Sequence, residues 1–122
     1  MAGTARLPRS GTVIPLAPKA QFTEYDIERC TVMDNELGRS LVFELTSRAV
    51  KDLYRVTATN QGRRIVTVVN GLPIGAIRIT SPISQGYIVT YVEVEDAELE
   101  KLAKEITQTS EDARKELEKK TG

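Results

Sequence analysis

The centre of this chain contains a series of strand, helix and turn signals with sharply marked boundaries, and this series constrains the fold most strongly. Residues 41–45 alternate strongly and less strongly apolar side chains, which is the period of a strand with one buried face. Thr46 is a favourable N-cap, and apolar residues recur at helical spacing until Asn60, Gln61 and Gly62 end the helix. We therefore predict a strand that leads directly into a helix. The strand residues predicted to face the core are Leu41, Phe43 and Leu45.

A tight β-hairpin is predicted immediately after this helix. Residues 63–69 are rich in β-branched side chains and end at Asn70-Gly71, which is the strongest short-range signal for a two-residue turn. The returning strand is predicted over residues 74–80. A further strand, rich in tyrosine, valine and isoleucine, follows the loop 81–86 and covers residues 87–94.

The last part of the chain has the period of a helix. From Glu95 onward the apolar stripe consists of Leu99, Leu102, Ala103 and Ile106. Residues 108–122 are polar and charged, although small or apolar side chains continue the helical spacing within them. Two interpretations of this segment stay open: one long continuous helix, or a frayed tail, because a helix without packing partners is marginal.

The N-terminal third is predicted to contain shorter elements. Residues 1–11 are mostly small and polar, which indicates a flexible leader. Residues 12–16 form an edge strand, because the proline within them cannot donate to a ladder. A threonine-capped short helix over residues 24–27 precedes a hairpin made of the strands 29–33 and 40–45.

Together these elements predict an α+β domain with a mostly antiparallel sheet. Two main helices pack on one face of that sheet, as in a ferredoxin-like two-layer sandwich. A length of 122 residues suits one domain. We predict this domain over residues 12–107, with the flexible leader 1–11 before it and a polar helical extension or tail over residues 108–122.

The composition excludes several classes of function. The chain has 17 basic and 17 acidic side chains, so its zero net charge gives no argument for binding nucleic acid or an anionic membrane surface. It has no histidine, which excludes histidine acid–base chemistry and histidine-containing zinc sites within it. Cys30 is the lone cysteine, and we interpret it as a small buried apolar residue rather than a reactive thiol.

No catalytic, cofactor-binding or metal-binding residues are predicted, and the chain is not expected to be an enzyme. The glycines of residues 71–75 lie in a hairpin, which disfavours a phosphate-binding loop. The acidic residues between positions 93 and 100 lack the pattern of a calcium loop and lie where helix N-termini favour acids. No run is long and apolar enough to cross a bilayer. We expect an excised fragment of a larger or anchored protein.

The last strand carries the candidate contact surface. Tyr87, Val89 and Tyr91 alternate onto one face of this strand, while its other face carries aliphatic residues that can meet the helices. If the first face is open, these side chains form an amphipathic platform of the kind that holds extended polypeptide. The alternative is that they only cover the sheet by cross-strand packing.

The order of these motifs resembles the SecD subunit of the bacterial Sec protein-export machinery, in the head part of its large extracytoplasmic (first periplasmic) domain. In that family a strand ending in Phe-Glu-Leu-Thr leads into a helix, Asn-x-Gly ends the helix, Asp-Gly forms a hairpin turn, and Pro-Ile and a glycine precede the last strand. The corresponding residues are Phe43, Glu44, Leu45, Thr46, Asn60, Gly62, Asn70, Gly71, Pro82, Ile83 and Gly86. The chain departs from the family at Gly75-Ala76-Ile77, where relatives usually have a proline.

The resemblance implies a non-enzymatic domain on the periplasmic or extracytoplasmic side of the inner membrane, with no cofactor. The implied partners are exported or unfolded polypeptide and Sec translocon subunits, with contact to the membrane only through segments absent from this chain. The membrane helices that carry proton-coupled transport in the family are among those segments, so that activity is not carried over. The alternative function is an envelope structural or assembly module that self-associates or docks a partner through its C-terminal helix. Single-stranded nucleic-acid binding on an open sheet is disfavoured by the zero net charge and by the lack of basic, phenylalanine-rich strand motifs.

Overall fold

The computed structural model describes residues 3–121 and has an α+β architecture, which confirms the predicted class. Its seven strands are β1 (Thr4–Arg6), β2 (Val13–Pro15), β3 (Ile27–Asn35), β4 (Gly38–Leu45), β5 (Arg64–Val69), β6 (Leu72–Arg78) and β7 (Tyr87–Thr90). Its helices are a short 3-10 helix (Glu24–Asp26), α1 (Ser47–Thr59) and α2 (Asp96–Thr121).

All the pairing between these strands is antiparallel, but the strands are divided among three sheets rather than joined in one. The central sheet has the order β3-β4-β7, and β1-β2 and β5-β6 form two-stranded sheets. An isolated bridge between Gly75 and Val92 links β6 to the chain just after β7. Beyond the bridge, the loop after β6 is held against α1 because the Ile83 N–H donates to Thr57 Oγ1 at 2.9 Å.

One face of the central sheet packs against both helices. Leu41, Phe43 and Leu45 are buried on this face, which confirms the predicted orientation of the strand. The helices contribute Ala49, Leu53, Leu99 and Ala103 to the same core. The two layers of the predicted sandwich are therefore present.

The boundaries around α1 and the β5–β6 turn follow the local sequence signals. Thr46 Oγ1 accepts a hydrogen bond from the Ala49 N–H at 3.3 Å, and Asn60 is the C-cap of the helix. Asn70 and Gly71 have φ angles of 50° and 79°, as the predicted two-residue hairpin turn requires. Both predictions are confirmed.

The segment predicted to be a flexible leader contains strand β1. Ala5 pairs with Ile14 of β2, and both side chains are buried. Residues 1 and 2 of the predicted leader lie outside the described residues. Composition alone does not reveal this strand, because its burial depends on pairing with β2 and on a contact far along the chain.

That contact is made by the turn between β1 and β2, in which Arg9 and Ser10 bind the carboxylate of Glu93. The carboxylate accepts hydrogen bonds from the Arg9 N–H at 2.6 Å, from the Ser10 N–H at 2.7 Å and from the Ser10 hydroxyl at 2.7 Å. The hydrogen bonds from the Ser10 N–H and hydroxyl, in that order, lower the pKa of Glu93. Arg9 also forms an ion pair with Glu95 at 2.6 Å. Both partners of this contact are polar surface residues, separated by 83 to 84 positions in sequence.

Helix α2 continues as one rod through Thr121, the last described residue. Two side chains fasten it along the outer edge of β3: Thr107 Oγ1 accepts from the Cys30 N–H at 2.9 Å, and the Arg114 guanidinium donates to the Ile27 carbonyl oxygen. Arg114 lies within the segment 108–122, for which the sequence allowed either a continuous helix or a frayed tail. Packing on β3 supplies the partners that a polar helix needs.

Candidate functional site

The face of the central sheet opposite the helices carries the three residues predicted to contact polypeptide. Tyr87, Val89 and Tyr91 have exposed fractions of 46%, 39% and 42%, whereas Ile88 and Thr90 between them are buried. This is the alternation of a strand with one covered and one accessible face. The structure therefore brings the three predicted residues together on one exposed surface, and cross-strand packing does not bury them.

The register of the central sheet adds side chains from β3 and β4 to this surface. Directly paired residues of antiparallel strands share a face, and Val89 is paired with Val42, which is paired with Thr31. Next along β3, Met33 is paired with Ser40; Met33 is 40% exposed, whereas Ser40 on the same face is buried and adds no accessible surface. We call this surface the open face, and its residues are Arg29, Thr31, Met33, Val42, Glu44, Tyr87, Val89 and Tyr91.

Two of the added residues differ in how far the sequence could predict them. Val42 alternates with the core residues of β4, so its position on the opposite face follows from the strand period. Met33 reaches the open face only through the β3–β4 register, which a turn with less definite chemistry sets. The prediction from the last strand alone therefore found only part of the surface.

The charged side chains of the open face lie at one of its ends, and Thr31 supplies a hydroxyl group in its middle. Arg29 and Glu44 form an ion pair at 2.7 Å beside Tyr87, so their charges neutralise each other. At the other end, the Tyr91 hydroxyl donates to Asn35 Oδ1 at 3.2 Å, which directs the tyrosine ring across the sheet. Apart from the Thr31 hydroxyl, the surface between these two ends offers aromatic, aliphatic and thioether groups, which suit apolar side chains of many shapes.

A second candidate is an apolar cavity of about 1350 Å³ on the helix side of the central sheet. Its walls include residues of β4, β5, β7 and α2. The apolar wall residues include Phe43, Ile65, Val69, Ile88, Leu102 and Ile106. Ser110 also lines it, and the Ser110 hydroxyl is buried without a hydrogen-bond partner within residues 3–121. The sequence does not predict this cavity, because its walls belong to elements that are distant along the chain.

The titratable groups of the domain form no recognisable catalytic arrangement within the described part of the chain. Burial raises the pKa of the Cys30 thiol to about 12, so the thiol is protonated and a poor nucleophile at neutral pH. Within residues 3–121, acidic and cysteine side chains do not gather into a group of three or more that could hold a metal ion. In the same range, neither α-helix combines the length and apolarity that a membrane span requires.

Two solved structures share this arrangement of elements. The chain superimposes on a crystal structure of SecDF in its super-membrane-facing form with a TM-score of 0.70 and 23% identity, over 84% of this chain and 15% of that one. It superimposes on a second SecDF structure, described as a membrane component that enhances protein export, with a TM-score of 0.63 and 23% identity. The domain is SecD-like in its fold.

This SecD-like domain spans much less than the full SecDF chains. The second superposition covers 78% of this chain and 41% of the SecDF chain, and the first covers a still smaller part of its SecDF chain. Neither a protein-family model nor a curated protein matches the sequence.

Proposed function

We propose that this SecD-like domain is a non-enzymatic, extracytoplasmic domain that contacts polypeptide during protein export. The open face is the observation that carries the proposal, because Tyr87, Val89, Tyr91 and Met33 expose apolar groups together on one surface. The likeness in fold to SecDF, described as a component that enhances protein export, supports the same function. The proposed location is the periplasmic or extracytoplasmic side of the inner membrane.

The chemistry of the open face favours a partner without a fixed sequence. Tyrosine rings supply rigid contact area with few rotatable bonds, and methionine adapts to differently shaped neighbours. The Arg29–Glu44 ion pair neutralises the charges at the margin, so the surface selects little by charge. Exported or unfolded polypeptide is a partner without a fixed sequence, as this surface requires. A Sec translocon subunit is the alternative occupant of the same surface.

The proposed unit comprises residues 12–107 together with β1, which pairs with β2, with residues 108–122 as a helical extension. Helix α2 is fastened to β3 through Arg114, so part of the extension is used within the domain. This observation favours polypeptide contact on the open face over the assembly function through the C-terminal helix. The alternative is that the domain self-associates or docks a partner through this helix. Sedimentation analysis tests the first form, which requires self-association that is lost when residues beyond Lys115 are removed.

The chain's own tyrosines provide a matched test of the open face. It has four tyrosines, of which Tyr87 and Tyr91 lie on the open face, while Tyr25 and Tyr54 lie elsewhere and are 39% and 50% exposed. The measurement is a titration of a labelled, permanently unfolded protein against the parent, Tyr87→Ala/Tyr91→Ala and Tyr25→Ala/Tyr54→Ala. We expect only the first double variant to weaken binding, by about tenfold or more, since well-placed tyrosines contribute more than 1 kcal/mol to interfaces.

Thermal unfolding of both double variants accompanies the titration. Both should melt near the parent temperature, because exposed side chains contribute little to folding. Equal binding by the two double variants, or no binding by any of the three proteins, contradicts the proposed function. A large loss of stability in Tyr87→Ala/Tyr91→Ala would show that these tyrosines support the fold.

A further inference from the structure

The outer edge of β7 has the hydrogen-bonding pattern of an unpaired strand edge. The Leu45 N–H donates to the Gly86 carbonyl oxygen at 3.0 Å, one register position before the first pair of β4 with β7. Hydrogen-bonded and non-hydrogen-bonded pairs alternate along an antiparallel ladder. The pairs Glu44–Tyr87 and Val42–Val89 are therefore of the non-hydrogen-bonded type, so Tyr87 and Val89 direct their N–H and C=O groups away from β4.

Strand β6 does not form a ladder with this edge. Near the end of β7 the two segments are joined by the Gly75–Val92 bridge and by the Glu93 N–H, which donates to the Ile74 carbonyl oxygen at 2.6 Å. Further along, β6 belongs to a different sheet. Strand β6 thus approaches β7 without pairing with it, and within residues 3–121 the outward backbone groups of Tyr87 and Val89 have no hydrogen-bond partner in a neighbouring strand.

The opposite edge of the same sheet is covered. Helix α2 lies along β3, where Thr107 and Arg114 bond to backbone groups of that strand. Covering or charging an edge is how proteins prevent unwanted strand pairing. The central sheet therefore has one protected edge and one unprotected edge, and the unprotected edge lies beside the tyrosines of the open face.

We propose that an extended polypeptide segment adds to β7 as a further strand of the central sheet. This inference rests on the proposed function and specifies how the polypeptide is held. Tyr87 and Val89 supply both elements of recognition: their backbone groups pair with the added strand, and their side chains contact alternate side chains of it on the open face. The remaining side chains of the added strand point to the core side, where Ile88 lines the apolar cavity. The segment that fits is apolar on both faces and free of proline, whatever its sequence.

Hydrogen exchange of the full chain provides the first test, with an internal control. The probe is a peptide of about seven residues, long enough to span β7, built from valine, threonine and tyrosine with a lysine at each end. Saturating peptide should slow exchange of the Tyr87 and Val89 amides by at least about tenfold. The Ile88 and Thr90 amides already donate to β4 and should exchange slowly with or without peptide. Slow exchange of the Tyr87 and Val89 amides in the free protein would overturn the proposal, because the edge would already be occupied.

A backbone-methylated peptide with the same side chains separates this proposal from the proposed function. N-methylation of every residue removes the N–H donors, so it should weaken binding by at least about tenfold, the effect of losing even one strong ordinary hydrogen bond. If the parent binds the two peptides equally, and Tyr87→Ala/Tyr91→Ala binds both more weakly, strand addition is overturned. Contact through the tyrosine side chains would then still hold. Failure of both peptides to bind overturns strand addition, and failure of the unfolded-protein titration as well removes the proposed function with it.

Variants at position 89 test the same donor from the protein side. Val89→Pro removes one outward N–H at an edge position, where proline is tolerated, and Val89→Ala keeps the N–H while removing most of the side chain. We expect Val89→Pro to bind the unmethylated peptide at least about tenfold more weakly than Val89→Ala. Equal affinities would contradict strand addition, and if Val89→Pro does not fold, the comparison of the two peptides decides.

Discussion

Replacement of Phe43 by alanine is the most direct perturbation of the arrangement that leaves the open face accessible. Phe43 is 8% exposed and lies between the central sheet and the helices. A phenylalanine side chain buries about 150–250 Å², which at ~25 cal/mol per Å² is worth about 4–6 kcal/mol. This is an upper value, since the unfolded chain already buries part of that surface. The measured range for such truncations is about 3–5 kcal/mol.

The apolar cavity places the expected cost near the lower end of that range. Phe43 lines the cavity, so its truncation enlarges an existing space rather than creating a sealed void. We therefore expect Phe43→Ala to lower the free energy of unfolding by about 3 kcal/mol, a large fraction of the ~5–15 kcal/mol of an ordinary domain. Urea unfolding followed by circular dichroism measures this value, and an unchanged m-value would show that the surface exposed on unfolding is the same.

The other phenylalanine of the chain supplies the control. Phe22 also lines the cavity but is only partly buried, so Phe22→Ala should cost less than Phe43→Ala. A cost below about 1 kcal/mol for Phe43→Ala, or an equal cost for the two variants, would refute the assignment of β4's core face.

Two further predictions concern the turns. Gly71→Val should lower the free energy of unfolding by at least about 1 kcal/mol in urea unfolding, because Gly71 has a φ of 79° and a β-branched residue is strained there; parent-like stability would contradict this. Because the pKa of Glu93 is lowered in the folded protein, the stabilisation from the β1–β2 turn should be complete at neutral pH and be lost as pH falls through that pKa. Exchange of the Arg9 and Ser10 amides across that range should speed up in acid, and Glu93→Gln should abolish the pH dependence; a pH-independent parent would count against the contact.

The sequence predicts those parts of the fold that neighbouring residues determine. Thr46 caps α1 through an amide three residues away, and Asn70-Gly71 supplies the positive φ angles of its own turn. The face of β4 follows because the strand period is two and one face is strongly apolar. In each case the decisive interaction lies within a few residues, so a local pattern is enough.

The features that the sequence did not predict depend on contacts between distant residues. Strand β1 is held by β2 and by the Glu93 contact, and α2 persists beyond residue 107 because Arg114 reaches the Ile27 carbonyl oxygen. Arginine and glutamate occur on any solvated surface, so their presence carries no signal about such partners. The division of the strands into three sheets is likewise a tertiary feature, and the local strand pattern does not encode it.

The length of β7 sets what its unprotected edge can do. It has four residues, of which only Tyr87 and Val89 direct backbone groups outward, so an added strand gains at most a few ladder hydrogen bonds. Each contributes about 0.5–1.5 kcal/mol net, and ordering an unfolded segment opposes that gain. The expected interaction is therefore weak and reversible, which suits the proposed contact with exported polypeptide. The same shortness limits pairing of β7 between two copies of the domain, because a short edge is itself a defence against aggregation. An edge long enough to hold one segment tightly would also be long enough to pair with itself.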